Sequence, residues 1–366
     1  MILSNFFIFI PYGFLFFIMT VFGTIYSLSA SHWLTAWMGL EINLIAFIPL
    51  MVYGGSVLET ESTIKYFIFQ AIGSVMIMFS SLLSFGPDFI WIFSSHSFDL
   101  LLSKSLIILI LGLLLKLGVF PVHFWFPAVV AGLSWFMNFL LFTWQKVAPM
   151  FILFSIYYVW LVSNLSLIIM IAASGSSILG GVGGVNQTQL RALLAYSSIS
   201  HMGWMIFCCC LTETSLKIYF IIYFFVTACV FFSAWSAQLN LIFQSFSSFL
   251  GENFLARILM IFMLLSLGGI PPLLGFIPKW VVMMSTNLDM KITLLFLILG
   301  SLISLFYYFT LMFSTFFSST SIMWKNLYLN LTFSKSNMNM LMILGVGLNL
   351  LGGVALLMNS YFKNFL

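Results

Sequence analysis

LGLLLKLGVFPVHFWFP, residues 111–127, is a run apolar enough to lie in lipid, yet it carries Lys116 at its centre and then meets Gly118 and Pro121. An ionised lysine near the middle of a bilayer costs ~2.5–3.5 kcal/mol on insertion scales, and more when isolated. Glycine and proline loosen the backbone at the same depth, and a helix interrupted inside a membrane is tolerated only where it faces protein or a wet cavity. The stretch therefore reads as a broken membrane helix whose lysine faces a polar path through the protein.

The pattern recurs later in the chain. Leu117, Gly118 and Pro121 follow an L-G-x-x-P spacing that returns at Leu267, Gly268 and Pro271, within SLGGIPPLLGFIPKW (266–280). Pro272, Pro278 and a second intramembrane lysine, Lys279, follow it. Paired Gly/Pro interruptions in corresponding halves of an apolar chain point to a transporter built from two repeats around a central ion site. On this reading residues 1–366 form a single transmembrane domain, with a first repeat at 33–160 broken near 118–121. A second repeat at 163–316, broken near 268–278, and a C-terminal helix at 339–360 complete it.

Composition excludes the alternatives in class. A chain of 366 residues that is 63% hydrophobic and only 5% charged cannot make a water-soluble globule and reads as an all-α, multi-pass membrane protein. The polar-apolar alternation of a membrane β-barrel is absent. A net charge of +4, scattered along the chain, is too weak to argue for nucleic acid as a partner. Cys208, Cys209 and Cys210 are consecutive and Cys229 stands apart, so the cysteines lack metal-site spacing and read as small apolar filler. Neither a G-x-G-x-x-G fingerprint nor a Walker loop appears. Residues 1–40 contain no Lys or Arg, so the first apolar run is expected to remain as a span and not to be a cleaved leader.

At ~20 apolar residues per span, eleven helices are expected, at 6–27, 33–53, 65–86, 104–131, 134–160, 163–183, 189–210, 215–240, 255–285, 291–316 and 339–360. An odd count puts the termini on opposite sides of the membrane. Glu59, Glu61, Asp88, Asp99, Glu213, Glu252, Asp289, Lys325 and Lys335 fall in the connections and read as solvated. Lys65, Lys104, Lys217, Arg257, Lys291 and Arg191 sit near predicted helix ends, where long side chains snorkel to the interface. A short list cannot reach water so easily: Glu41, Lys116, His123, Lys146, His201 and Lys279. For the histidines a structural role is as well founded as proton carriage. Four intramembrane charges in one chain, Glu41 and the three lysines, exceed what helix packing needs.

WMGLEINL (37–44), FPVHFWFPAVVAGLSW (120–135), TWQKVAP (143–149), NQTQLRALLAYSSISHMGW (186–204) and SLGGIPPLLGFIPKW (266–280) together resemble the subunit 2 family of NADH dehydrogenase. These are the antiporter-like membrane subunits of mitochondrial respiratory complex I. The eleven-span count is similar to the shortened animal form, which lacks three N-terminal helices of its bacterial relatives. The resemblance implies antiporter-like inverted repeats in the mitochondrial inner membrane and a part in proton translocation. It matches Glu41 to the acidic residue of an early helix and Lys116 to its charge partner in the first broken helix. Lys146 and Lys279 match lysines of the central axis and the second broken helix, and His123 and His201 match polar positions along that axis. It also implies that flavin mononucleotide (FMN), iron–sulfur clusters and ubiquinone belong to partner subunits, with none held in this chain. Other membrane-arm and accessory subunits, and phospholipids such as cardiolipin, are the implied partners.

The physics is adequate to that role. Moving one charge across the membrane costs ~2.3 kcal/mol per 100 mV, and an opposite charge within ~4–6 Å changes the proton affinity of a group by a comparable ~1.4–4 kcal/mol. A Glu41–Lys116 pair that opens and closes would thus change how tightly Lys116 or the next lysine holds its proton. Two other readings use the same residues. A stand-alone cation/proton antiporter would purify alone, and a non-pumping structural subunit would have its charges dispersed or facing lipid.

Overall fold

A computed structural model describes residues 13–84, 100–156, 166–236, 254–287 and 290–317, with 345–347, 349–350 and 352 near the C-terminus. Segment 317–338, apart from Phe317, most of the expected helix at 339–360, and Asp88, Asp99, Glu252, Asp289, Lys325 and Lys335 lie outside the described residues. Among the described residues there are helices and no strand. In chain order they are α1 (Gly13–Leu28), α2 (Trp33–Met51), α3 (Val57–Ser84), α4 (Leu100–Leu117), α5 (Trp125–Gly132), α6 (Trp135–Phe142) and α7 (Trp144–Ser155). There follow α8 (Ser166–Val185), α9 (Leu190–Cys209), α10 (Glu213–Ser236), α11 (Phe254–Gly268), α12 (Phe276–Met284) and α13 (Lys291–Phe317).

Seven of these, with α6 and α7 taken as one, are long and apolar enough to cross a membrane, and α1 is apolar but shorter. Large apolar side chains such as Phe14, Phe22, Ile64, Phe67, Ile292 and Leu302 face outward, as a multi-pass membrane protein requires. α9 is the opposite case: its length is almost wholly enclosed, serines and histidine included.

The chain divides into two compact units, Met1–Ala172 and Ala173–Leu366. In the first, α1 packs on α2, α3 on α2, α4 and α5, and α7 on α1, α4 and α6. Small residues let backbones approach, as membrane helix pairs favour: a Cβ on Gly23 of α1 would lie 2.7 Å from the Asn43 nitrogen of α2. In the second unit, α10 packs on α9, α11 and α12, and α13 packs on α9 and α11.

Several starts differ from the expected ones, for a local reason. α3 begins at Val57, eight residues before the expected 65, so Glu59 and Glu61 sit in its first turns and not in a connection. Ser56 Oγ accepts from the Glu59 N–H at 3.2 Å while Glu59 Oε2 accepts from the Ser56 N–H at 3.4 Å, a reciprocal capping box. Glu61 then pairs with Lys65 one turn on, at 2.6 Å. Glu213 likewise opens α10, where Thr212 Oγ1 accepts from the Ser215 N–H at 3.3 Å and Glu213 pairs with Lys217.

Candidate functional site

At the first interruption α4 ends at Leu117 and α5 begins at Trp125. Gly118 takes φ +68°, a left-handed conformation that glycine adopts without Cβ strain. The end of α4 leaves its last carbonyls without intrahelical partners, and here side chains meet them. Gln70 Nε2 donates to the Lys116 carbonyl at 3.1 Å, and the Trp125 indole donates to the Leu115 carbonyl at 3.2 Å. Asn138, fully buried, closes the end of α5 by donating to the Val130 and Leu133 carbonyls at 3.0 and 3.2 Å.

Lys116 and Lys146 are only 6% and 3% exposed, and both line one cavity of about 20 Å³. That is room for about one water molecule. Asn43, Tyr66, Gln70 and Gln145 supply the rest of its polar lining. The Lys146 ammonium lies 4.8 Å from the centre of the Phe126 ring and 5.2 Å from that of Phe142, so aromatic faces help to accommodate its charge. Lys146 sits in the first turn of α7, just after α6 and α7 part at Thr143. The uninterrupted helix expected at 134–160 is therefore jointed.

Glu41 lies on α2, half-buried, with Oε1 enclosed and without a hydrogen-bond partner. Glu41 and Lys116 form no ion pair within 4.0 Å. Glu41 does not line the cavity, nor does His123, which is buried beside the Phe124 ring at 4.1 Å between centroids.

The second interruption, within the other unit, runs from the end of α11 at Gly268 to the start of α12 at Phe276. Gly268 is still helical, and the left-handed residue is Gly269 at φ +77°. The structural counterpart of Gly118-x-x-Pro121 is thus Gly269-x-x-Pro272, one residue later than the L-G-x-x-P spacing suggests. Pro278 lies in the first turn of α12. Lys279, 5% exposed, points back across the gap, where its Nζ donates to the Gly268 carbonyl at 2.9 Å and stands 6.0 Å from the Trp204 ring centre. A cation here meets the carbonyl end of α11, where the helix dipole favours positive charge.

His201 on α9 shares a hydrogen bond with Tyr219 at 3.0 Å through Nδ1 and stands 5.4 Å from the Tyr223 ring. The three line a second, smaller cavity of about 10 Å³ with Ser266, Leu267, Gly275 and Pro278. Lys279 does not line it. Cys208, Cys209 and Cys210 are buried free thiols.

The neutral polar groups Asn43, Gln70, Asn138, Gln145, Tyr219 and Tyr223 escape a reading keyed to charge. Their signal is present, since an amide within an apolar span needs a partner in lipid much as a charge does.

Comparison with known proteins follows the same lines. Residues 30–306 match the family described as NADH:quinone oxidoreductase/Mrp antiporter, TM. A protein of Anopheles gambiae named NADH-ubiquinone oxidoreductase chain 2 is 37% identical over 329 residues, 86% of this chain and 90% of that one. Its namesake in Squalus acanthias is 40% identical over 299 residues, 80% and 82% of the two chains. Among solved structures, a chain of respiratory complex I from Thermus thermophilus with bound aureothin shares the fold, with a TM-score of 0.79 at 21% identity. That likeness covers 94% of this chain and 79% of the other.

Proposed function

Since the chain belongs to the NADH:quinone oxidoreductase/Mrp antiporter membrane family, we propose that it is a core membrane-arm subunit of a proton-pumping NADH:ubiquinone oxidoreductase, resident in the mitochondrial inner membrane. The relatives carry that enzyme's name. Electron transfer through FMN, iron–sulfur clusters and ubiquinone belongs to partner subunits, and this chain moves protons. Neighbouring membrane-arm and accessory subunits and phospholipids such as cardiolipin cover its apolar faces. Residues 33–160 and 163–316 form the antiporter-like inverted repeats, each with one broken helix.

Glu41, Lys116, Lys146, Lys279, His123 and His201 are the proton-handling groups. The observation that carries this reading is the sharing of one water-sized cavity by Lys116 and Lys146, both buried. Burial disfavours a charged lysine, and a nearby carboxylate favours it. A change in the distance between Glu41 and Lys116 therefore loads or unloads a proton at the cavity, and Lys146 is the next acceptor through a single water. The free energy for that change arrives through contacts with neighbouring subunits.

Glu41→Gln tests the reading, because it keeps the shape and removes the charge. In the assembled complex reconstituted in sealed vesicles, proton uptake driven by NADH oxidation is expected to fall well below wild type. Wild-type proton uptake at wild-type assembly would remove Glu41 from the mechanism.

A further inference from the structure

Two helices that carry proton-handling groups are tied by a pair of neutral amides. Asn43 follows Glu41 by two residues on α2, and Gln145 immediately precedes Lys146 on α7. Asn43 Nδ2 donates to Gln145 Oε1 at 2.8 Å, and Gln145 Nε2 donates back to Asn43 Oδ1 at 3.1 Å. Both amides line the cavity that Lys116 and Lys146 share. Each satisfies a donor and an acceptor of the other, and separating them leaves enclosed polar groups that must find water or a neighbouring side chain.

Helix geometry links the contact to Glu41. Successive residues turn by about 100°, so residues two apart point about 160° away from one another around the axis. While Asn43 faces Gln145 and the cavity, Glu41 is not among the residues that line it. Both helices are soft where this matters. Pro149 within α7 lacks the N–H that would bond the Gln145 carbonyl, and Pro49 within α2 does the same at Ile45.

We propose that the Asn43–Gln145 pair is a latch that positions Glu41 relative to the Lys116–Lys146 cavity. Closed, its two hydrogen bonds tie α2 to α7 with the carboxylate out of the cavity lining. Open, it frees α2 to turn or shift, and Glu41 reaches the lysine. Asn43 and Gln145 are positioning residues and carry no proton themselves, since a carboxamide does not titrate. The inference rests on the reading of Glu41 and Lys116 as proton-handling groups and specifies what times their encounter.

The test uses the assembled complex in sealed vesicles, reading protons moved per electron against NADH oxidation rate. Asn43→Leu/Gln145→Leu replaces both amides with apolar groups of similar size and holds the helices together without polar switching. Its proton-to-electron ratio is expected to fall while assembly and NADH oxidation persist. Gln145→Asn alone, one methylene shorter, should lower the ratio in the same way, and Asn43→Gln/Gln145→Asn, which restores the pair in reverse, should recover it. A wild-type ratio in the apolar double variant overturns the latch; should that variant not assemble, equal ratios in Gln145→Asn and the reversed pair overturn it instead. Lys116→Met run alongside separates the two claims. If it too pumps like wild type, the proton-handling reading has failed, whereas loss there with wild-type ratios in every amide variant rejects the latch alone.

Discussion

Gly269 decides where Lys279 can lie. Its φ of +77° belongs to the left-handed region, and an added Cβ would stand 2.8 Å from the Lys279 Nζ and 2.9 Å from its Cδ. Gly269→Ala is therefore expected to cost about 1–2 kcal/mol in backbone strain and to push the ammonium off the Gly268 carbonyl. A lowered thermal midpoint of the solubilised complex together with slowed proton uptake would show it; an unchanged midpoint would mean that the turn relaxes freely. At this scale the sequence was most legible where the physics is most expensive. Lys116, Lys146 and Lys279 announce themselves because a cation in an apolar run has few explanations. Asn43 and Gln145 stand within the motifs at 37–44 and 143–149 yet pass unread, because each is near or next to a charged residue, Glu41 or Lys146, that draws the reading first.

For the elements, the two interruptions depend on how their stranded carbonyls are met. Gln70 is buried on α3 and serves the Lys116 carbonyl, so Gln70→Leu leaves that group enclosed and unbonded. The expected cost is about 1–3 kcal/mol, checked as a fall in the unfolding midpoint of the complex. An unchanged midpoint would indicate that the carbonyl has another partner. Gly118 with Pro121, and Gly268 with Pro271, made both interruptions visible in the sequence, since few other residues stop an apolar helix. The one-residue offset at Gly269 was hidden by the GG pair at 268 and 269, either of which suits the turn. The early start of α3 could have been read from S-x-x-E at residues 56–59, a signal that the apolar window for spans overrides. The joint at Thr143 has neither Gly nor Pro beside it, so no helix-breaking residue marks it in the sequence.

Each of the two compact units contains, among its described residues, a pair of helices separated by a Gly/Pro turn, with a buried lysine beside it. Maintaining such groups at the expense of insertion makes sense if they handle charge, and the account stands on that point. Its most direct test is the number of protons moved per electron by the assembled complex in sealed vesicles when Lys116→Met or Lys279→Met replaces the wild-type chain. The account predicts a clear loss in both variants at unchanged assembly, and a wild-type ratio in both would contradict it.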